Sequence, residues 1–436
     1  MKKILIAPIY AMCNLSESNI MSRIASAFVE SGHEVYVLGE GRYDDLFADS
    51  RYARVAVPFD REFVTDEAYR NMHNIDNGGL AFFSEQALDR FIAEEVRILR
   101  EIEPDVVVHG FRPTMSVSTK ITGTPSVCVL SAVVSDLYEK YGLKTIPFDS
   151  RGNRRIPAAV QRLLGGRLTS YIVKRFILVP KWYGTWNRVM KKHGLAPFRT
   201  VTGALKGDFN IMLDAPELFP FDRELPPYYR FCGPLLYEYS IETPACLRDY
   251  KKNHRPVVFL NMGSSGDPET IRRLIQGFGN RPYDVFCATT SILSEEELKD
   301  VPDNVFTAKM FPPFEVAGIA DVALIHGGIG TLYSTLLGGT PFVGIPMFGE
   351  QQWNLENAAR KGCGVVIPKP GIDIESVYHA IDEILQDSNY KTNVLALQKT
   401  LDRYRHTNPA KTAVDRIVEF LDNPSRNKSY FDHRKY

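Results

Sequence analysis

The stretch VALIHGGIGTLYSTLLGGTPFVGIPMFGEQQWNLENAARKGCGVVI, Val322 to Ile367, decides the fold. Val322 to Ile325 is a short apolar run of the kind buried in a parallel sheet. His326-Gly327-Gly328-Ile329-Gly330-Thr331 follows at once, and Leu332, Leu336 and Leu337 then recur at helical spacing. The order is strand, glycine turn, helix N-terminus. Glycines let the backbone approach a ligand, the first helical amides point at it and the helix dipole favours negative charge, so a phosphate is the natural guest. His326 and Thr331 add side-chain donors for the same oxygens. Gly339-Thr340-Pro341 ends the helix, Phe342 to Ile345 is a second buried strand, and Pro346 opens a loop leading to Glu350-Gln351. A carboxylate beside an amide suits the hydroxyls of a sugar.

Outward from this stretch, 436 residues are enough for two domains that each bury a core. Lys plus Arg and Asp plus Glu both number 52, so no global field argues for nucleic acid. No apolar run reaches the length of a membrane span, and MKKILIAPIYAMC turns polar too soon for a signal peptide. Cys13, Cys128, Cys232, Cys246, Cys287 and Cys363 are scattered without metal spacing, which predicts reduced thiols in a cytoplasm.

In the first half, Lys3 to Ala7 reads as a strand, Met21 to Val29 as a helix ended by Gly32, and Val35 to Leu38 as a strand. The connection Pro8 to Ile20 is long for a βαβ unit and is a candidate binding loop at the carboxyl edge of the sheet. A helix over Ala87 to Arg100 and strands at Val106 to Val108 and Val127 to Leu130 continue the pattern. In the second half, strands are predicted at Pro256 to Asn261, followed by a Met262-Gly263-Ser264-Ser265-Gly266 loop, and at Val285 to Ala288. Helices are predicted over Ile374 to Leu385, Val394 to Tyr404 and Ala410 to Leu421. Alternating strands and helices give doubly wound parallel sheets, an α/β class.

HGGxGT, then GxP, then EQxxN, then the GxG of Gly362-Cys363-Gly364, resembles the nucleotide-sugar signature of the family 1 glycosyltransferases, the UDP-glycosyltransferase superfamily. The resemblance implies a GT-B fold of two facing doubly wound domains. An acceptor-binding domain would span 1–237, a linker 238–253 and a donor-binding domain 254–408. A helix at 409–422 would cross back to the first domain, with a mobile tail over 423–436. It also implies a nucleotide and phosphate site at Gly263, Ser264, Met310, Phe311, His326, Gly327, Gly328, Gly330, Thr331 and Ser334, with Glu350 and Gln351 on the sugar. Asn14, Trp182 and Trp186 would meet a small-molecule or lipid-like acceptor. The implied reaction is an inverting transfer without cofactor or metal. Catalysis would come from orientation and charge stabilisation, since no paired acid motif is at hand to bridge a cation to the diphosphate.

Two departures concern the nucleotide. Pro313 stands where the family places a base-recognising glutamine, and Ser334 where UDP-dependent members carry a glutamate on the ribose. A serine cannot take two hydroxyls as a carboxylate would, which leaves dTDP-sugars beside the preferred UDP-sugars.

A third departure concerns the base. Aligned on Ser31-Gly32-His33-Glu34-Val35, the position of the family's catalytic histidine falls on Glu17. At an ordinary carboxyl pKa of about 4.3 it is a weak base, so burial or a partner must raise it. His109, at the end of a strand, is the other candidate, alone or paired with Glu17.

From Arg151 through Lys206 there is no Asp or Glu, while basic residues alternate with apolar ones around Trp182, Tyr183 and Trp186. This fits an acidic acceptor, peripheral contact with anionic lipid, or a solvated helix pair. Two competing functions stay open: a nucleotide-sugar epimerase, and a catalytically silent binding or activator protein that keeps the nucleotide site.

Overall fold

The computed structural model describes residues 1–64, 83–138, 174–219, 221, 224–236, 241–263, 266–289, 292–294, 296–367 and 373–423. Ser264, residues 151–173 and residues 424–436 lie outside that set. Two compact units divide the chain, one holding the described part of residues 1–235 together with the chain from Asn408, the other Leu236–Thr407.

Among the described residues the first unit carries β1 (Lys3–Ala7), β2 (Glu34–Leu38), β3 (Ala53–Val55), β4 (Val106–His109), β5 (Ser126–Leu130), β6 (Phe209–Met212) and β7 (Tyr229–Phe231). They form one parallel sheet in the order β3-β2-β1-β4-β5-β6-β7. β1, β4 and β5 are buried almost throughout, as continuous apolar runs covered on both faces should be. The helices used below are α1 (Leu15–Glu30), α2 (Pro58–Phe63), α3 (Glu85–Ile102), α4 (Met115–Thr122) and α5 (Val179–Lys192).

α1 begins at Leu15, not at Met21 as the apolar period predicts. Asn14 supplies the reason: extended at φ −116°, it caps the helix by accepting the Glu17 N–H at 3.0 Å. The connection after β1 is therefore only Pro8 to Asn14. It folds as a tight turn over Tyr10–Met12, with Ala11 (φ 49°) and Met12 (φ 43°) in the left-handed region.

The C-terminal helix of the described chain, Pro409–Asp422, completes the core of this unit. Ala410, Ala413, Val414, Ile417 and Phe420 are buried with Ile24 and Phe28 of α1, and the Phe420 ring stacks on Phe209 at 5.0 Å.

The second unit carries β8 (Val257–Asn261), β9 (Asp284–Ala288), β10 (Val305–Ala308), β11 (Val322–Ile325), β12 (Phe342–Gly344) and β13 (Gly364–Val366). They are parallel, in the order β10-β9-β8-β11-β12-β13. Its helices include α6 (Pro268–Phe278), α7 (Pro313–Ile319), α8 (Ile329–Leu337), α9 (Gly349–Ala359), α10 (Ile374–Gln386) and α11 (Ser388–Leu401); the C-terminal helix is α12. Within the expected linker 238–253 a short helix forms at Ala245–Arg248, and Tyr250 and Asn253 donate hydrogen bonds to Asp284 of β9. The described part of that segment is thus anchored to the second unit.

In open α/β sheets ligands bind outside the carboxyl ends of the strands where the order reverses. The reversal lies between β1 and β4 in one unit and between β8 and β11 in the other.

Candidate functional site

At the second reversal, the turn after β11 and the start of α8 meet the loop after β8. Gly328 caps α8 with no side chain bonded to its first amides, and the first helical bond runs from Leu332 N–H to the Gly328 carbonyl at 2.9 Å. The amides of Ile329, Gly330 and Thr331 therefore have no intrahelical acceptor, and these residues are only half-buried. Such an uncapped N-terminus receives an anion.

His326 is buried beside it. Its ring fills the space between two glycines: a Cβ on Gly263 would stand 2.7 Å from Nε2, and one on Gly328 2.4 Å. Nδ1 donates to the Asn261 carbonyl at 3.2 Å, because a carbonyl can only accept. Nε2 is then the unprotonated nitrogen. Burial pushes the pKa down to about 4, against the raising effect of the Asn261 carbonyl.

α9 braces this turn from below. Gly327 adopts φ +90°, and a Cβ there would run into the Gln351 carbonyl and the Leu355 side chain at 2.6 Å each, so only glycine fits. Asn354 donates to the Gly327 carbonyl at 3.2 Å. Gln351, expected on the sugar, is buried, and its Oε1 accepts the Met347 N–H at 2.8 Å. Glu350 is half-buried in the first turn of α9. Ser334 is also buried, and its hydroxyl donates back to the Thr331 carbonyl at 3.0 Å. Phe311 packs edge-on against Phe259 and Phe286 in the core, while Met310 before it is half-buried. Pro313 occupies the first turn of α7, where its missing N–H costs nothing.

At the first reversal, Glu17 lies in the first turn of α1 against the end of β4. Its Oε2 accepts the Ile9 N–H at 3.0 Å, and Oε1 is buried without a full hydrogen bond. A Cβ on Gly110 would stand 2.3 Å from Oε1, so the carboxylate occupies the space a side chain would take there. Burial raises its pKa to about 7, with the amides of Ile9 and Phe111 and the charge of Arg112 pulling it back.

His109 responds to burial in the opposite sense. It is fully enclosed, Nδ1 donates to the Gly110 carbonyl at 3.3 Å, Nε2 has no partner, and desolvation lowers its pKa to about 4. Both candidate bases therefore sit at one sheet edge, but only Glu17 is poised near neutrality.

The residues expected at the acceptor fare differently. The Asn14 carbonyl oxygen is spent as the cap of α1. Trp186 is 1 % exposed in an aromatic core with Phe83, Tyr183 and Phe198, leaving no ring face open. Trp182 belongs to the same cluster, and its indole N–H is buried without an acceptor. In the described part of the basic segment, Arg188 and Lys192 pair with Glu85, and Lys192 also with Asp89, on α3. Sequence alone overlooked Asn261 and Asn354, which hold His326 and Gly327. Asn354 was within the quoted EQxxN spacing, whereas nothing marks Asn261, whose backbone does the work.

Among the described residues no group of three or more His, Cys, Asp or Glu side chains is gathered as for a metal ion, and no helix is long and apolar enough to cross a membrane.

With this geometry in view, the likenesses to known proteins are informative. Residues 313–423 match the family model described as UDP-glucoronosyl and UDP-glucosyl transferase. A PGL/p-HBAD biosynthesis glycosyltransferase of Mycobacterium tuberculosis is 28 % identical over 366 residues, 81 % of each chain. A PGL/p-HBAD biosynthesis rhamnosyltransferase of Mycobacterium bovis is 26 % identical over 88 % of this chain and 81 % of its own. Among solved structures, the spinosyn rhamnosyltransferase SpnG complexed with thymidine diphosphate superposes with a TM-score of 0.60, covering 96 % of this chain and 100 % of that one at 17 % identity. The two parallel-sheet units are those of the GT-B fold. These likenesses support a family 1 glycosyltransferase, an enzyme similar to the UDP-glycosyltransferase superfamily that transfers a sugar from a nucleotide sugar.

Proposed function

We propose that the transfer is inverting and that Glu17 is its general base. The observation that carries this is the buried Glu17 carboxyl at the reversal of the first sheet, with its pKa raised to about 7. A base with proton affinity near the working pH is both available and strong enough to take the proton of an acceptor hydroxyl as it attacks the anomeric carbon. His109, neutral with a pKa near 4, is the poorer base and serves to fill the end of β4. The acceptor is a small or lipid-like molecule bearing that hydroxyl.

The diphosphate of the donor is held at the free amides of α8, with His326 and Thr331 beside them. Negative charge growing on the departing diphosphate meets the helix N-terminus, so stabilisation needs no cation. Glu350 orients the sugar; Gln351 supports the loop that presents it. The inward-bonded Ser334 hydroxyl makes no demand for a ribose 2′-hydroxyl, which supports use of dTDP-sugars as readily as UDP-sugars.

The test is Glu17→Gln assayed with UDP- and dTDP-sugars against a panel of phenolic and aliphatic alcohols. Turnover should fall by about 10²–10⁴-fold with nucleotide affinity unchanged. NMR of the product should show the anomeric configuration opposite to that of the donor. Turnover equal to wild type in the glutamine variant removes the base assignment, and retention of configuration removes the inverting mechanism.

A further inference from the structure

A buried ion cluster adjoins the Glu17 loop, and none of its members is assigned to the reacting groups above. The side chains of Arg112, Asp60 and Glu95 are each at most 1 % exposed. Arg112 grips Asp60 with both terminal nitrogens, at 2.7 and 2.9 Å, and donates Nε to Glu95 Oε1 at 2.8 Å. Glu95 also accepts the hydroxyls of Thr114 (2.7 Å) and Ser118 (2.6 Å), and the Thr114 hydroxyl meets the Tyr10 hydroxyl at 2.8 Å. Desolvating such a group costs more than burying apolar side chains of the same volume, so a specific arrangement is the better explanation for it than stability.

The arrangement it fixes is the turn in front of Glu17. Asp60 Oδ2 lies 3.3 Å from the Ala11 N–H, and the Arg112 guanidinium covers the Tyr10 ring at 4.7 Å. Ala11 and Met12 hold left-handed backbone, which non-glycine residues keep only where their surroundings impose it. Both supports of the Glu17 carboxylate adjoin cluster members. Ile9, whose amide it accepts, precedes Tyr10; Gly110, against which it rests, stands two residues before Arg112.

We infer that Arg112, clamped between Asp60 and Glu95, is a positioning residue that locks the Ile9–Met12 turn against the Gly110–Thr114 turn and so sets the place of the Glu17 carboxylate. This rests on Glu17 acting as the base. Arg112 touches no reacting atom; it acts through the two backbone turns and through its charge, which pulls down the proton affinity of Glu17.

The test compares Arg112→Gln, Arg112→Lys and Asp60→Asn with Glu17→Gln in the full chain, reading kcat, the donor KM and the acid limb of kcat/KM. That limb reports the free enzyme's base and does not depend on how much of a preparation is folded. Arg112→Gln should lower kcat by about 10- to 100-fold with donor KM within about twofold, since misplacement of a catalytic group acts on the chemical step. Its acid limb should move up by about half a unit or more as the guanidinium charge is lost. Asp60→Asn keeps the shape but leaves Arg112 less neutralised, so kcat should fall while the limb moves down. Arg112→Lys keeps the charge without the fork, so kcat should fall with the limb in place; it carries the test should the other two not fold. Wild-type kcat and an unmoved limb in any folded member of the set, with Glu17→Gln inactive, overturn the inference and leave the base assignment standing. A fully active Glu17→Gln overturns both.

Discussion

The carboxylate of Glu17 stands where the side chain of residue 110 would be: a Cβ on Gly110 would lie 2.3 Å from Oε1, 3.1 Å from the carboxyl carbon and 3.2 Å from Cγ. Gly110 has no need of a positive φ, so its lack of a side chain is explained by this contact and not by backbone conformation.

Gly110→Ala should therefore fold and act specifically on Glu17. The added methyl pushes the carboxylate off the Ile9 amide, and kcat should drop by about 10- to 100-fold. In a double-mutant cycle with Glu17→Gln the two losses should be far from additive, because both remove the same placed carboxylate. Additive losses would show that Gly110 matters for another reason.

Stability should carry the mark of the raised Glu17 pKa. Between an ordinary carboxyl value near 4.5 and the folded value of about 7, the native state binds the proton more tightly than the unfolded chain. Stability contributed by that proton is present at low pH and is lost as pH rises to about 7. Glu17→Gln, which cannot ionise, should be more stable than wild type near pH 8, by on the order of 1–3 kcal/mol, and lose that advantage near pH 5. Denaturant titrations at the two pH values measure it; an equal difference at both would show that Glu17 is not proton-loaded by burial.

Nucleotide binding should take up a proton at His326. With Nδ1–H committed to the Asn261 carbonyl, Nε2 can donate to a phosphate oxygen only as the imidazolium, and in the free protein the group is neutral above about pH 4. A diphosphate raises that pKa in the complex, so affinity should be highest at low pH and weaken as pH rises through the bound-state value. Calorimetry in buffers of different ionisation enthalpy would report the uptake. His326→Gln, which carries neutral donors, should bind more weakly with a flat pH profile; a flat profile in wild type would sink the assignment.

The α12 seam should be a stability determinant of the first unit. Phe420 is 5 % exposed and stacked on Phe209, and truncating a buried aromatic costs about 3–5 kcal/mol. Phe420→Ala should lower the melting transition of the unit containing α1 while leaving nucleotide-induced stabilisation of the other intact. Hydrogen exchange that rises equally in both units would contradict this.

How much of this was legible in the sequence varies with the kind of signal. The strands were plain, since fully buried parallel strands are unbroken apolar runs such as Val106 to Val108 and Val322 to Ile325. The start of α1 was not, because its first turns, Leu15 to Ile20, are mostly polar and hide the period; the spacing of Asn14 to Glu17 was the capping signal available. The glycine turn at His326 was legible as a strand-to-helix junction, but the protonation of the histidine depends on a backbone carbonyl 65 residues away. Trp182 and Trp186 at helical spacing read equally as core or as ligand platform, and packing decided. The Arg112 cluster could not be read at all: its partner Asp60 lies 52 residues upstream, and isolated charged residues look like surface.

Because α12 belongs to the unit that begins with β1, the chain enters and leaves the second unit at two places, near 235 and 407. The second unit is thus an insertion in the first, and order of synthesis matters. A ribosome releases β1 to β7 early, but the helix that covers Ile24, Phe28 and Phe209 emerges only after the whole second unit has been made. Domains tend to fold as they appear. The later-made unit can therefore reach its native state first, and the half that holds Glu17 waits for the last helix before its core is closed.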